Sequence, residues 1–181
     1  MSYRLEFVQW VPFVIEQVFF FFADPRNLPR IMPPATGTRI EQLTLLAPPP
    51  APASSSHKAA DHLAGVGSEI VTSFRVAPSL PLRRRWVARI TEFEWNHHFA
   101  DVQVEGPFRS WLHRHELSAE AKDGIAGTRV CDRIEYEIGY GVLGAIAQHM
   151  FVDRQMRATF AHRQSVLAGL LRETRFDPAV R

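Results

Sequence analysis

The chain has 181 residues, of which 46% are hydrophobic and 22% are charged, and its formal net charge is +2. This length and composition are typical of one soluble globular domain, and so small a net charge gives no reason to expect a nucleic-acid partner. No run of about 18 apolar residues is present, so we expect no transmembrane segment. The single cysteine, Cys131, excludes an internal disulfide and fits a reducing compartment, so we expect a cytoplasmic protein.

The first part of the chain predicts a strand, two short helices and a second strand. The first strand covers 3–11, and Pro12 after it suits the first turn of a helix. Four consecutive Phe residues at 19–22 cover more than one stripe of that helix, so we expect it to be buried around much of its circumference. A shorter helix is predicted over 26–32 and a strand over 38–46.

A low-complexity segment follows at 47–65, with four prolines, three consecutive serines and several alanines. This composition predicts a mobile loop. The alternative is a flap over the mouth of a pocket, because long loops without secondary structure in compact domains are either functional or disordered. Beyond the segment, strands are predicted over 67–76 and 84–94.

Three runs of alternating residue type fill 99–136, and turn signals at Gly106-Pro107 and Asp123-Gly124 separate them. Alternation at period two gives each strand one face that points towards a core or cavity. The residues that share those faces are Phe99, Asp101 and Gln103 in the first run, Trp111, His113, His115 and Leu117 in the second, and Val130, Asp132, Ile134 and Tyr136 in the third. A few polar groups are thus flanked by apolar ones, as in a mostly apolar pocket.

The turn positions predict a row of polar side chains across these three strands. A first hairpin centred on Pro107 places Asp101 opposite His113. A second hairpin centred between residues 122 and 123 places Asp132 opposite His113 as well. Neighbouring side chains in this row would lie about 5 Å apart at Cβ.

A long C-terminal helix is predicted over 142–172, because apolar residues including Met156 and Phe160 recur there at steps of three and four. The order of elements predicts an α+β fold, in which one curved antiparallel sheet of about seven strands packs on this helix. Such a sheet leaves space between itself and the helix, where a ligand would bind. Arg163 lies towards the end of the helix, and we predict it at the surface; the alternative is that it reaches an acid on the sheet or a ligand carboxylate.

The sequence also resembles a known superfamily. Its opening is similar to that of the START-related, birch-pollen-allergen-like superfamily, SRPBCC, in the stretch VPFVIEQVFFFFADPRNLPRIMP. Two later stretches resemble one bacterial branch of that superfamily, the polyketide cyclase/dehydrase-like branch. They are FADVQVEGPFRSWLHRHEL and GTRVCDRIEYEIGYGVLG. The resemblance implies one helix-grip domain over 1–173, a tail at 174–181, and a hydrophobic cavity between sheet and C-terminal helix. Members include lipid carriers, hormone receptors and aromatic cyclases, and no catalytic set carries over.

We therefore predict that the chain binds or transports a small hydrophobic molecule, such as a lipid or a polyketide-like compound. The residues predicted to contact it are Phe99, Asp101, Gln103, Trp111, His113, His115, Asp132, Ile134, Tyr136, Met156 and Phe160. One alternative is a cyclase- or dehydratase-type enzyme, in which His113, held by Asp101 or Asp132, moves a proton next to a carbonyl. Another is a regulatory protein-interaction module that uses the sheet edge or the 47–65 loop.

The polar row has three interpretations. It is a general acid/base unit, a buried hydrogen-bonded network, or a site for the polar head of an apolar ligand. His113 and His115 also have the spacing of two metal ligands on one strand face, and Asp101 or Asp132 would add a carboxylate. No further Cys or His stands close to this pair in sequence, so we predict neither a metal nor another cofactor.

Overall fold

The computed structural model describes residues 2–51, 62–75, 82–139 and 142–174, with side chains described for all of these except 142–150. Its main elements are β1 (Ser2–Val11), α1 (Ile15–Ala23), α2 (Leu28–Ile31), β2 (Arg39–Thr44), β3 (Glu69–Arg75), β4 (Arg83–Glu94), β5 (His98–Glu105), β6 (Ser110–Lys122), β7 (Ile125–Glu137) and α3 (Val142–Glu173). The predicted order of one strand, two short helices, six strands and a long helix is confirmed. None of the described helices is long and apolar enough to span a membrane.

The seven strands within the described ranges form one antiparallel sheet in the order β1-β7-β6-β5-β4-β3-β2. The first strand therefore pairs with the last, and every other pair consists of strands consecutive in the chain. Register shifts interrupt the β4–β5 pairing beside Ala88 and Glu92, and bulges of this kind bend a strand. The long helix α3 contacts β1, α1 and α2. The molecule thus has the predicted α+β helix-grip architecture.

The β6–β7 hairpin decides which polar side chains meet on the inner face, the face of the sheet towards α3. Asp123 and Gly124 have φ values of 52° and 77°, as both central residues of a two-residue type I′ turn require. The turn is centred between these two residues, so His115 lies opposite Asp132. The prediction that His113 lies opposite Asp132 is wrong, because it placed the centre of the turn one residue too early. An error of one residue in the centre of the turn changes each cross-strand partner by two positions. Because side chains alternate between the faces, Asp132 still lies on the predicted face.

The β5–β6 hairpin has the predicted register, with Asp101 opposite His113. The Gln103 side chain holds its loop closed: Nε2 donates to the carbonyl oxygen of Phe108 at 2.7 Å, and Oε1 accepts from the Phe108 N–H at 3.2 Å. Gln103 therefore has a structural partner within the hairpin itself.

The outer face of the sheet carries cross-strand ion pairs. Arg114 lies 2.5 Å from Glu92, and Arg133 lies 2.5 Å from Glu116. Such part-exposed pairs contribute about 1 kcal/mol or less each. This face is charged and solvated, which leaves the inner face to form the core.

The described residues form two apolar core clusters. One joins α1 to the C-terminal half of α3 through Phe19, Phe21, Leu167 and Leu171. Phe19 and Phe21 are no more than 2% exposed, and the other two Phe residues of the run are partly buried, so the prediction of a helix buried around much of its circumference is confirmed. The second cluster consists of Leu5, Trp111, Ile134, Tyr136 and Phe160.

The predicted loop at 47–65 is only partly described, since 52–61 lie outside the described residues. Its C-terminal end is fixed in the fold. Leu63 is 1% exposed, the Ala64 N–H donates to the Ala23 carbonyl at 3.0 Å, and the Gly65 N–H donates to the Leu46 carbonyl at 2.9 Å. The mobility of this loop and its role as a flap stay predictions. The tail at 174–181 also stays a prediction, because only Thr174 of it is described.

Candidate ligand-binding site

A cavity of about 240 Å³ lies between the inner face of the sheet and α3. Its wall is mostly apolar and includes Phe74 from β3, Trp86 from β4, Phe22 from α1 and Phe160 from α3. Thr36, just beyond α2, also lines the cavity and is half-buried, so the cavity approaches the surface there. The space is larger than the roughly 150 Å³ apolar cavity that accepts benzene in an engineered protein.

Titratable side chains from the sheet and from α3 interrupt this apolar wall. They are Asp101 from β5, His113 and His115 from β6, and Arg163 from α3. Both histidines and Arg163 are buried, and Asp132 from β7 is buried against all three of them. Charges so close together in a buried place act on one another strongly.

His113 lies between two carboxylates. Its Nε2 is 3.1 Å from Oδ1 of Asp132 in hydrogen-bond geometry, and its Nδ1 is 3.7 Å from Oδ2 of Asp101. An ionised carboxylate only accepts hydrogen bonds, so Nε2 carries the proton and donates to Asp132. In the neutral ring, Nδ1 is then the basic nitrogen, on the side of Asp101 and the cavity. This is the arrangement in which a carboxylate orients an imidazole.

His115 is held among rings. It stacks on Phe99 with centroids 4.4 Å apart, and its centroid is 4.0 Å from that of His113. Its Nδ1 is 2.7 Å from Oδ1 of Asp132, but the contact lacks hydrogen-bond geometry and this nitrogen has no hydrogen-bond partner among the described residues. Burial, followed by the neighbouring His113, lowers the pKa of His115 to about 3, against the opposing effect of Asp132. The ring is therefore neutral at pH 7.

The two carboxyl groups have pKa values displaced in opposite directions. Burial raises the pKa of Asp101, and nearby Asp132 adds to this, while His113 and Arg163 oppose it. Burial would also raise the pKa of Asp132, but Arg163 and the contacts of the two histidines hold it well below its usual value. Because His115 is neutral at pH 7, we attribute the low pKa of Asp132 chiefly to Arg163. Asp132 is thus the firmly ionised member of the pair.

Arg163 is the residue that the sequence prediction misplaced. It is 7% exposed and not at the surface, because it shares the inward face of α3 with Phe160 and Leu167. Its guanidinium carbon lies 4.7 Å from the ring centroid of Phe160 and 5.4 Å from that of Phe22. Its Nη2 is 3.6 Å from Oδ1 of Asp132. The alternative prediction, that Arg163 reaches an acid on the sheet, is therefore the correct one.

Two groups of described residues could hold a metal ion. Asp101, His113 and His115 each offer a ligating atom within 4.8 Å of the others, and Glu94, His97 and His98 do so nearer the surface. The first group faces the cavity, but the permanent positive charge of Arg163 acts on the same groups and opposes a second cation there. Arg163 therefore opposes a metal ion at the first group.

Seven of the residues predicted to contact a ligand line the cavity, namely Phe99, Asp101, Trp111, His113, His115, Met156 and Phe160. Four do not line it. Asp132 lies behind the polar residues, Ile134 and Tyr136 are buried in the second apolar cluster, and Gln103 bonds its own hairpin loop. Ligand contact by any of these residues stays a prediction.

Sequence reasoning missed part of the wall. Phe74 and Trp86 line the cavity from β3 and β4, and both belong to predicted strands. Phe74 continues the alternation of Ile70 and Thr72, which also line the cavity, so a signal existed in β3. For Arg163 the signal was helical spacing from Phe160.

No family model matches the sequence, and neither does any curated protein. Solved structures do match. The Zhui aromatase/cyclase from Streptomyces sp. R1128 has a TM-score of 0.65 at 12% identity, over 96% of this chain and 95% of that one. A START superfamily protein from Mycobacterium smegmatis has a TM-score of 0.60 at 13% identity, over 95% and 99% of the two chains. Ara h 8.0201 has a TM-score of 0.54 at 13% identity, over 96% and 100%.

Likeness at this level of identity shows the fold. The protein is a helix-grip protein, with its sheet and its long C-terminal helix arranged as in these structures. More particularly, it has the fold of the START superfamily protein from Mycobacterium smegmatis and of the Zhui aromatase/cyclase, so the helix-grip fold that the resemblance in its sequence implied is confirmed.

Proposed function

We propose that the protein binds a small hydrophobic molecule in the cavity between the sheet and α3, and that it carries or presents this molecule. The observation that supports this most directly is the cavity itself, about 240 Å³ in volume and mostly apolar in its wall. Trp111 and Phe160, which could have filled this space, lie at its edge instead. Ligand-binding proteins typically have such a cavity with a few convergent polar groups.

Burial of apolar surface would supply most of the binding free energy. A ligand that buries about 200 Å² of apolar surface gains about 5 kcal/mol, before the cost of immobilising it. The polar residues of the wall would give the ligand its orientation. The wall includes many aromatic rings, among them Phe74, Trp86 and Trp111, which suits an aromatic or short aliphatic ligand.

Two measurements test this proposal. Native mass spectrometry of the purified protein should show an adduct of lipid or polyketide size. The neutral fluorophore N-phenyl-1-naphthylamine should bind, and Ala88→Leu, which places three more carbon atoms in the cavity wall, should weaken its binding about tenfold. Ala121→Leu, at an exposed position of β6, is the matched control and should bind as the wild type does.

Two results would contradict the proposal. Equal affinity of the fluorophore for Ala88→Leu and the wild type would place its binding site elsewhere. Absence of both an adduct and fluorophore binding would remove the ligand-binding function altogether.

A cyclase- or dehydratase-type enzyme is the second candidate, and the geometry of His113 favours it. Its Nε2 bonds Asp132, and its Nδ1 lies on the side of the cavity beside Asp101. A base oriented in this way could move a proton next to a carbonyl group. His113→Asn should then abolish turnover of a polyketide-like substrate while leaving fluorophore affinity within about twofold of the wild type. Parallel loss of turnover and affinity would assign His113 to binding alone.

A further inference from the structure

We propose that the ligand is an amphiphile with one carboxylate headgroup, and that the guanidinium of Arg163 binds this headgroup inside the cavity. The inference rests on the proposed ligand-binding function and names the class of ligand. Arg163 is 7% exposed and lines the cavity, and its Nη2 is fully buried without a hydrogen-bond partner among the described residues. A buried charged donor that lacks an acceptor is costly, so a ligand oxygen that accepts a hydrogen bond from it would bind favourably.

Asp132 does not complete it. Its Oδ1 is 3.6 Å from Nη2 of Arg163, which is beyond hydrogen-bond distance, and the same oxygen already accepts from His113. The pair neutralises charge without satisfying the donors of the guanidinium. Arginine has five N–H donors, and none of those on Arg163 makes a hydrogen bond to a described residue.

The surrounding rings hold the guanidinium in place. Phe160 and Phe22 lie 4.7 Å and 5.4 Å from its central carbon, which is within the range of cation–π attraction. Rings offer no oxygen acceptor, so they orient the group and leave its donors available. A planar guanidinium with free donors matches a carboxylate, which it can bind through two parallel hydrogen bonds.

The other titratable groups of the wall are compatible with an anion beside Arg163. Asp24 also lines the cavity, but its carboxylate is paired with Arg26 at 2.8 Å. His115 is neutral at pH 7, and the carboxyl group of Asp101 has a raised pKa, so it resists ionisation more than an exposed aspartate does. A protonated Asp101 would donate a hydrogen bond to a ligand oxygen. The apolar part of the ligand would lie against Phe74, Trp86 and Trp111 in the rest of the cavity.

Matched ligands that differ only in the headgroup test the inference. Displacement of N-phenyl-1-naphthylamine by decanoate and by 1-decanol is measured at pH 7.5, and an aromatic pair, 2-naphthylacetate and 2-naphthylethanol, is measured in parallel. Because hydrogen bonds between charged groups are stronger than those to a neutral hydroxyl, the acid of at least one pair should bind about tenfold tighter than its alcohol. Arg163→Met should abolish this preference, and Arg163→Lys should retain part of it. Arg154→Met, at an exposed position of the same helix, is the control and should leave the preference unchanged.

The outcomes distinguish a failure of the carboxylate-headgroup proposal from a failure of the ligand-binding proposal. If acid and alcohol bind the wild type equally in both pairs, the headgroup assignment is overturned and the proposed ligand-binding function stands. If neither pair displaces the fluorophore and native mass spectrometry shows no adduct, both fail. The wild-type comparison decides the matter even if Arg163→Met does not fold, and a preference that persists in a folded Arg163→Met variant overturns the role of Arg163.

Discussion

Neutralising Asp132 while keeping its shape should strongly destabilise the protein. The Asp132→Asn variant retains an oxygen that can accept the hydrogen bond from Nε2 of His113, so it removes little but the negative charge. Arg163 then remains buried with no anion beside it in the ligand-free protein. An uncompensated buried charge is among the few causes of a large loss of stability on a single substitution.

The magnitude follows from the distance and the burial of the pair. Nη2 and Oδ1 are 3.6 Å apart, and each side chain is 9% exposed, so solvent screens the pair little. With an effective dielectric constant of about 20, two unit charges at this distance interact by about 5 kcal/mol. Breaking a buried pair by removing one partner costs about 3–5 kcal/mol. We expect the free energy of unfolding to fall by an amount in this range.

A double-mutant cycle measures the coupling. Urea unfolding at pH 7.5, followed by tryptophan fluorescence and circular dichroism, compares the wild type with Asp132→Asn, Arg163→Met and the double variant. The double variant should be more stable than Asp132→Asn, because it no longer buries an unpaired charge. A loss of less than about 1 kcal/mol in Asp132→Asn, or losses that simply add in the double variant, would refute the reasoning.

Two further changes should alter stability in defined ways. The pKa of His115 is lowered from 6.5 to about 3 in the folded protein, so between these two pH values mainly the unfolded chain takes up this proton. The free energy of unfolding should therefore fall by about 2–3 kcal/mol between pH 7.5 and 4.5 because of His115. Urea unfolding at both pH values should show that this fall is smaller in His115→Gln than in the wild type. The exposed control variant, His97→Gln, should show the same fall as the wild type. A Cβ on Gly127 would lie 2.5 Å from Cζ2 of Trp10, whereas one on Gly139 would meet nothing within 4 Å. Thermal unfolding should thus show a loss of about 1–3 kcal/mol for Gly127→Ala and almost none for Gly139→Ala; equal effects would contradict the close approach.

The order of the elements and the face on which Asp101, His113 and His115 lie could be predicted because alternation and turn residues are local signals. The partner of Asp132 could not be read from alternation alone. It depends on the centre of one turn, and the positive φ angles of Asp123 and Gly124 fix that centre. Asp-Gly as the two central residues of a type I′ turn would have given the correct register.

The position of Arg163 and the existence of empty space are non-local properties. A charged side chain on a helix is usually exposed, and its burial here depends on Asp132, which comes from a distant strand. Likewise, Trp111, Phe160 and Tyr136 are aromatic residues of the same core cluster, but Trp111 and Phe160 also line the cavity and Tyr136 does not. Only the relative placement of sheet and helix separates residues that line a cavity from residues that fill it.

The free-energy cost of burying the charges of Asp132 and Arg163 indicates why these two residues are present. Replacing a buried ion pair by apolar residues of similar volume is often neutral or stabilising, so the Asp132–Arg163 pair is a poor candidate for a device that stabilises the fold. A buried pair with one member facing an apolar cavity and lacking acceptors is better explained by what binds there. The double variant tests this directly: if it unfolds as the wild type does and binds 1-decanol equally well, but no longer prefers decanoate, the charges serve the ligand. If it keeps the preference for decanoate, the headgroup is held by the Asp101–His113 side of the wall instead.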